Sequence, residues 1–479
     1  MRHWTRLGTA LCLSLALAGA PLIAHADNQT PTVSDVSLDT SALPYEVTLQ
    51  RVDTEGKLPT LQSFATGTDG GLWILIGGRT NGLHDFTNDP LKNFPPREQN
   101  NKIWVIDPKT WTVWSRRLDD SGLNQNQLDA LSTTATESVQ VGDTLYVVGG
   151  YGYSKKVKDF RTFASMTTFN VRKLVDWVRK DTKKGLETII RQVNNDVLRV
   201  TGGQLAVIDG RFILAFGQNF KGGYGDPDSV KQVYTGQVRS FDVVETGNTL
   251  NVRNVRTNPS QPNRTKYRRR DYNMLPFIDT SGGRNKPALT AYAGVFTKTN
   301  GVYTVPVEID AKGRPSMANP NASSTFKQAM NGYNAANLAI FDSRSGESHA
   351  LFFGGISYVT YNAKTEKFVE DASIPFTNDV TAIVRKPNGR YSQYLLTKFP
   401  RVNGPDVDKY RFGAEAAVFL RRDVPVTDNG MLDLQALRKQ VGKGKTRIGW
   451  IFGGIAAEKP NDGATVASNE VFSIVLDLK

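Results

Sequence analysis

The chain has 479 residues, a formal net charge of +13, four histidines and one cysteine. Cys12, His3 and His25 all lie within the first 26 residues. If that segment is removed, the rest of the chain has no disulfide, no thiol nucleophile and too few histidines for a multi-histidine metal site. We therefore expect no metal and no cofactor, and stability that comes from a packed core.

The N-terminus has the pattern of a secretory signal peptide. Arg2 and Arg6 precede an apolar stretch centred on residues 11–17, and Ala24-His25-Ala26 is a small-x-small cleavage site. We predict cleavage near Ala26, a flexible segment over 27–44 and a secreted or periplasmic protein. No later run reaches the roughly 18 apolar residues of a spanning helix, so we expect no transmembrane segment.

A short apolar strand that ends in two small residues recurs along the chain. Other short strands flank each copy, as in Asn101–Asp107 followed by Trp111–Trp114. Four strands in each of six units predict an all-β, six-bladed β-propeller, a single domain over 45–479. The six small pairs are Gly77-Gly78, Gly149-Gly150, Gly217-Gln218, Ala293-Gly294, Gly354-Gly355 and Gly453-Gly454.

Three further elements are predicted on this framework. The last unit lacks an outermost strand, so the orphan strand 45–52 should pair with 469–477 and close the ring. Small helical insertions are expected near 171–184, where Gly185 suits a C-cap, and within 423–445, where Asp428 could be the N-cap. Residues 301–305 are predicted to be the third strand of the fourth unit.

The glycine pairs, the Asn-x-x-aromatic-x-x-Asp pattern of Asn101–Asp107 and the following Trp111 resemble the kelch family. The resemblance covers about residues 45–479 and implies a kelch-type propeller. It does not imply one function, because kelch propellers include enzymes, adhesins and protein-binding modules.

Long connections should cluster on one side of such a ring, here called the long-loop face. Consecutive strands of a blade run antiparallel, so second-to-third loops and blade-to-blade loops emerge together. Long loops on a rigid scaffold favour binding, although some could merely cover the blade tops. They are 79–100, 151–165, 218–236, 356–378 and 455–468 within units, and 117–134, 257–273, 316–337 and 401–413 between units.

The densest basic run gives the first group of candidate ligand-binding residues. Arg268, Arg269 and Arg270 lie near Tyr272, and arginine forks with tyrosine rings suit carboxylate, sulfate or phosphate groups. The alternative is that Arg269 and Asp271 form structural salt bridges.

Two other loops supply the remaining candidates. Phe220 and Tyr224, in the glycine-rich loop 219–228, could stack on a sugar ring, or the loop could be an ordinary turn. Arg79, His84 and Arg97 lie in the first long loop, where a lone histidine could equally be a surface hydrogen-bonding group.

Two functions remain open from the sequence. The first is an exported binding module for an acidic glycan or a protein partner through the long-loop face, in line with the positive charge. The alternative is a sugar mutarotase or epimerase, since the chain resembles periplasmic kelch-type sialic acid mutarotases in its signal peptide and blade number. A copper radical oxidase is excluded because no cysteine would remain, and we do not expect nucleic acid as a partner.

Overall fold

The computed structural model describes residues 36–85, 87–183, 185–226, 230–282, 285–298, 301–362, 364–404, 407–408, 410–461 and 464–479. The predicted signal peptide and residues 27–35 lie outside these ranges. The described chain is all-β and propeller-like, built from many small antiparallel sheets with short helices between them.

Six sheets, numbered here in chain order, form the body of the described chain, and four of them are formed from consecutive chain segments. Sheet 1 contains Ala65–Asp69, Leu72–Ile76, Lys102–Asp107 and Thr112–Arg117; sheet 2 contains Glu137–Val141, Thr144–Val148, Ser165–Asn170 and Ile190–Asn194; sheet 3 contains Gln204–Ile208, Arg211–Ala215, Val238–Thr246 and Thr249–Asn258; sheet 4 contains Asn273–Asp279, Lys286–Tyr292, Val307–Ile309 and Pro315–Met317.

The last two sheets contain the exceptions to this order. Sheet 5 has a fifth strand that pairs in parallel, and sheet 6 takes its outer strand from the N-terminal part of the chain. Sheet 5 contains Ala336–Asp342, Glu347–Ile356, Phe376–Arg385, Tyr391–Lys398 and Leu432–Asp433; sheet 6 contains Ala417–Leu420, Gly444–Phe452, Val471–Leu478 and Tyr45–Val52.

The N-terminal strand of sheet 6 has the partner that the sequence predicts. Tyr45–Val52 pairs antiparallel with Val471–Leu478 over its full length, from Tyr45↔Leu478 to Val52↔Val471. Its alternation of buried and exposed residues puts Val47 and Leu49 into the core. The pairing covers what would otherwise be an open edge of Val471–Leu478.

Buried apolar clusters fill the gaps between consecutive sheets, and one of them joins sheet 6 to sheet 1. Trp73 of sheet 1 stacks on Phe419 of sheet 6, with ring centroids 4.4 Å apart. Tyr146 of sheet 2 meets Phe212 of sheet 3 at 4.8 Å, and Tyr292 of sheet 4 meets Phe352 of sheet 5 at 5.2 Å. Aromatic rings of this size contribute much of the buried area between sheets.

The glycine pairs lie at or just beyond the ends of the second strands, where backbones approach closely. Gly77 has a φ of +66°, and a Cβ built on it would lie 2.5 Å from the carbonyl oxygen of Thr133. A side chain at this position would collide with the loop that leads into sheet 2, so glycine is required there.

The helices lie in the connections, and their ends differ from the prediction in two places. Helix Val171–Arg179 ends at Lys180, which has a left-handed φ of 65°, so Gly185 is not its C-cap. Helix Leu434–Val441 begins after Asp433, whose side chain accepts from Ala436 N, so the N-cap is Asp433 and not Asp428. The other helical segments are Pro90–Asn93, Gln125–Leu131, Pro96–Glu98, Leu118–Asp120, Leu186–Thr188 and Asp196–Leu198.

The fourth sheet also differs from the prediction. Its third strand is Val307–Ile309, whereas 301–305 makes only an isolated bridge between Val302 and Val295. Pro306 cannot donate a ladder hydrogen bond, which is consistent with the strand beginning just after it.

Long connections form a second layer of small sheets. The loops within sheets 2 and 3 combine into one four-stranded sheet, here called the shared loop sheet, made of Tyr151–Ser154, Asp159–Thr162, Gln218–Lys221 and Lys231–Tyr234. The others are the hairpins Val359–Asn362 with Lys367–Glu370 and Asn403–Gly404 with Val407–Asp408, and the sheet of Arg411–Ala414, Ile455–Ala457 and Thr465–Ala467. Among the described residues, no helix has both the length and the apolar character needed to span a bilayer.

Candidate functional site

A closed cycle of backbone hydrogen bonds joins the starts of the six sheets. Each participating residue lies two positions before the first strand of its sheet, and its N–H donates to the carbonyl of the equivalent residue in the preceding sheet. The donor–acceptor distances run from 2.9 to 3.4 Å. This axial ring consists of Ser63, Ala135, Gly202, Asp271, Asn334 and Glu415.

Most ring residues have an unusual backbone conformation. Ser63, Ala135, Asp271 and Glu415 have φ values between 47° and 56°, in the left-handed region that residues other than glycine seldom occupy. Such conformations persist only where the surrounding structure holds them, and they concentrate at functional sites. The ring is therefore a candidate functional site.

Glu415 is the central carboxyl of the ring. Its Oε2 accepts hydrogen bonds from Ser63 Oγ at 2.7 Å and from Asn334 Nδ2 at 3.2 Å. Burial raises the pKa of Glu415 to about 7, and the nearby charge of Asp271 adds to that rise. At neutral pH this group is divided between its acid and its carboxylate forms.

Asp271 and Tyr333 lie next to this carboxyl. Burial also raises the pKa of Asp271, against the opposing effect of Arg270, whose Nε is 3.5 Å from Asp271 Oδ2. Burial, together with the charges of Asp271 and Glu415, raises the pKa of the Tyr333 hydroxyl well above its usual value. Tyr333 is therefore a neutral hydroxyl that can donate a hydrogen bond.

A second buried carboxyl lies two residues beyond the ring, at Glu137. Gly203 N donates to its Oε1 at 2.7 Å, while Oε2 has no hydrogen-bond partner among the described residues. Burial raises the pKa of Glu137 to about 8 although the charge of Arg239 opposes the rise. This side chain is protonated over most of the physiological range.

Arginine, tyrosine and histidine extend the site from the ring into the first and third long loops. Arg270 Nη1 donates to the Tyr224 hydroxyl at 3.1 Å, and the rings of Tyr224 and His84 lie 4.5 Å apart. Burial lowers the pKa of His84 to about 4, helped by the positive charges of Arg270 and Arg79. The imidazole is therefore neutral at physiological pH.

Five of the residues predicted from sequence come together here. Phe220 stacks on Tyr224 at 4.6 Å, and the Arg79 guanidinium lies 3.7 Å from the Phe94 ring centroid. Only His84, Tyr224 and Arg270 of this group are partly exposed, since Arg79 and Phe220 are buried. Arg79 and Phe220 thus support the cluster from beneath rather than offering a surface to a ligand.

Two other predicted residues do not fit a ligand-binding role. Arg269 is fully buried and donates to the carbonyls of Ala293 at 2.7 Å and Val305 at 2.5 Å. Tyr272 is equally buried, and its hydroxyl donates to the Ala215 carbonyl at 2.7 Å. Both side chains stabilise the loop before sheet 4, and Asp271 pairs with Arg270 instead of with Arg269.

Of the remaining two, Arg268 borders the cluster through Phe296, whose ring also lies under Arg270. Arg268 stacks over the Tyr234 ring at 4.0 Å and donates to the Phe296 carbonyl. Arg97 is exposed, pairs with Glu98 at 3.2 Å and lines a separate groove of about 380 Å³ beside Tyr153.

Sequence reasoning missed Ser63, Asn334, Glu415, Tyr333 and Glu137. Three of them, Ser63, Asn334 and Glu415, share a signal, which is a position two residues before the first strand of a sheet. This signal becomes visible only when the first strands of all six units are aligned. The alignment is difficult because two of the small pairs, Gly217-Gln218 and Ala293-Gly294, depart from the Gly-Gly pattern. Within the described ranges, His, Cys, Asp and Glu side chains nowhere gather in the groups of three or more that a metal site would need.

No protein-family model matches the chain, and no curated protein matches it. Among the solved structures that resemble it is one described as "Structure of YjhT", with a TM-score of 0.45 and 11% sequence identity. The match covers 88% of this chain and 100% of that chain. At this distance it carries no argument about function.

Proposed function

We propose that the protein is an exported kelch-type propeller of six blades, closed by its N-terminal strand, which binds a glycan at the axial ring on the long-loop face. The observation that carries this proposal is the convergence of Ser63, Asn334 and Glu415, joined by hydrogen bonds at one point of the ring.

Three features support six blades in a closed circle. The axial ring returns to its own start, because Ser63 N donates to the Glu415 carbonyl at 3.1 Å. Trp73 and Phe419 join sheet 1 to sheet 6, just as aromatic pairs join sheet 2 to sheet 3 and sheet 4 to sheet 5. The pairing of Tyr45–Val52 with Val471–Leu478 leaves sheet 6 with four strands, like sheets 1 to 4.

The chemistry of the site favours a sugar. Carboxyl, carboxamide and hydroxyl groups can both donate to and accept from the hydroxyls of a saccharide. The partly exposed rings of Tyr224 and His84 offer flat surfaces beside these polar groups. Arg270 adds a positive charge, which favours an acidic glycan over a neutral one.

The first prediction is that Glu415→Gln weakens glycan binding about ten-fold, because a hydrogen bond to a charged acceptor contributes roughly 1.5 kcal/mol or more. Wild-type affinity for a neutral saccharide should rise between pH 6 and pH 8 as Glu415 ionises through its pKa of about 7, because the carboxylate is the stronger acceptor, and the variant should lack this rise. The measurement is calorimetry with a neutral saccharide chosen from a screen.

The matched control is Glu55→Gln, which removes an exposed carboxyl that forms an ion pair with Lys57. Its affinity should equal that of the wild type. If the folded Glu415→Gln protein had the same glycan affinity as the wild type at both pH values, the ring would not be part of the binding site.

A second candidate is an enzyme that interconverts sugar anomers. The observation that favours it is the pKa of about 7 at Glu415, because a group that both gives and takes a proton at neutral pH suits acid–base catalysis. We predict faster exchange between the anomeric proton signals of a bound reducing sugar in NMR spectra with wild-type protein. Glu415→Gln should lose this acceleration, and a sugar that binds without any acceleration would leave only the binding function.

A further inference from the structure

The shared loop sheet has a row of three positive charges across it. Strand pairing puts Lys231 directly opposite Lys221, and Lys221 directly opposite Arg161. Directly opposed residues of antiparallel strands share one face of a sheet, so the three side chains lie on the same face.

The opposite face of this sheet is occupied by aromatic residues. Tyr151, Phe160 and Phe220 alternate with the cationic positions and pack with Phe94 in one buried cluster. The cationic face therefore points away from the protein body. Lys221 and Lys231 are exposed and Arg161 is half-buried.

Within the part of the chain that the structure describes, no ion pair neutralises this row. Like charges directly opposite one another destabilise an antiparallel pair. Over the described ranges, none of Arg161, Lys221 and Lys231 forms an ion pair. The acid on the same face is Asp159, which accepts a hydrogen bond from Phe160 N at 2.7 Å.

Exposed aliphatic side chains accompany the cations. Val233, two residues from Lys231 on the same face, is 47% exposed. Val157 is 51% exposed in a hairpin turn between Lys156 and Lys158.

A third aliphatic residue lies on the neighbouring loop. Leu91 is 55% exposed beside Lys92, in the helix that begins at Pro90. Pro90 packs on Gly223, in the connection between two strands of the shared loop sheet. The pattern of one exposed aliphatic residue beside lysine thus occurs three times around one small sheet.

We infer that the cationic face of the shared loop sheet, with its Lys-Val-Lys turn, docks the protein on an anionic lipid surface. Each lysine or arginine close to such a surface is attracted by the negative headgroups, and the aliphatic tips enter the boundary between headgroups and acyl chains. A soluble polyanion would satisfy the charges but would leave Val157, Val233 and Leu91 in water.

The test is co-sedimentation of the full-length chain with vesicles of phosphatidylcholine mixed with phosphatidylglycerol, and with vesicles of phosphatidylcholine alone. Binding is expected only to the mixed vesicles and should weaken as sodium chloride is added. The variant Lys221→Gln/Lys231→Gln should bind about 30-fold more weakly, since each charge contributes roughly five-fold. Val157→Asn should also weaken binding, without changing the dependence on salt.

The matched control is Arg253→Gln/Arg256→Gln, which removes two exposed charges from the outer strand of sheet 3. This control should bind vesicles as tightly as the wild type. Because all samples contain the same N-terminal segment, any vesicle binding by that segment is the same in each. An equal loss of vesicle binding in both double variants would show that binding depends only on net charge, which would overturn the proposal. Unchanged vesicle binding by the folded Lys221→Gln/Lys231→Gln protein would also overturn the proposal. So would binding to dextran sulfate that depends on Lys221 and Lys231, if the protein did not bind vesicles at all.

Discussion

Glu137 is a carboxyl that the fold holds mainly in its uncharged form. It is 3% exposed, and its Oε1 accepts a single hydrogen bond, from Gly203 N. The buried Arg239 is close enough to oppose the rise in its pKa but directs its own donors to the carbonyls of Val197 and Phe216. Desolvation therefore outweighs the attraction between the two side chains.

This environment predicts a dependence of stability on pH. The pKa of Glu137 is raised from 4.5 to about 8 in the folded chain, so folding favours the protonated form. The stability that this contributes is present below pH 4.5 and is lost as pH rises toward 8, by at most about 1.4 kcal/mol per pH unit. Glu137→Gln, which keeps the acceptor for Gly203, should remove that loss. The measurement is the free energy of unfolding in urea at pH 5 and pH 8.

Glu55→Gln is again the matched control, because its carboxyl is exposed. This variant should retain the wild-type decrease in stability between the two pH values. Glu415, whose pKa is also raised, should leave a smaller decrease in Glu137→Gln, and a decrease as large as that of the wild type would show that Glu137 is not a cause.

Arg269 and Arg270 show that the sequence can predict a cluster of arginines but not the direction in which each side chain points. Both belong to the basic run that the sequence singles out, yet Arg269 is bonded inside the protein and Arg270 faces the cluster around Tyr224. The direction of each side chain depends on the path of the loop, and Asp271, with a φ of 51°, reverses that path. No local signal in the sequence predicts a left-handed conformation at an aspartate followed by a tyrosine.

At the scale of the element, the strand Tyr45–Val52 joins the two distant parts of the chain that make sheet 6. Its buried residues belong to the apolar cluster between sheets 5 and 6, together with Ile474 and Leu476 of its partner strand. The strand therefore stabilises both the sheet and the contact between sheets.

Leu49→Ala should accordingly lower the free energy of unfolding by about 3 kcal/mol, the usual cost of a cavity at a buried leucine. Leu49 is 5% exposed. The measurement is urea denaturation followed by tryptophan fluorescence. Thr48→Ala, on the exposed side of the same strand, should change stability by no more than about 0.5 kcal/mol. Equal small effects at both positions would mean that the strand contributes little to the core.

Helices and strands differed in how well the sequence predicted them. The apolar spacing of Val171, Leu174, Val175 and Val178 correctly indicated a helix, because these residues are all buried on one side of it. The predicted C-cap, Gly185, was wrong because Lys180 adopts the left-handed conformation that is usually found at a glycine cap. The shared loop sheet could not be predicted, since its strands come from two different units and pair across the gap between them.

At the scale of the whole molecule, the repeat predicted an all-β chain of small four-stranded sheets, and it predicted the partner of the N-terminal strand. It could not predict the axial ring, because the ring is made by backbone groups that carry no sequence signature. Ala135 and Glu415 occupy equivalent positions in the ring with unrelated side chains. The Glu415 carboxyl was missed because the equivalent ring positions carry unrelated side chains, so no repeated residue type identifies them.

The axial ring has a consequence for how its peptide groups act on one another. All of its N–H groups point in the same rotational sense, so the dipoles run head to tail around a circle and have neither a positive nor a negative end. In each ring residue the N–H and the carbonyl belong to two peptide groups joined at its Cα atom, so successive links are connected through the backbone conformation of that residue. Breaking any one link would turn the circle into an open row and would leave one N–H and one carbonyl without their ring partners.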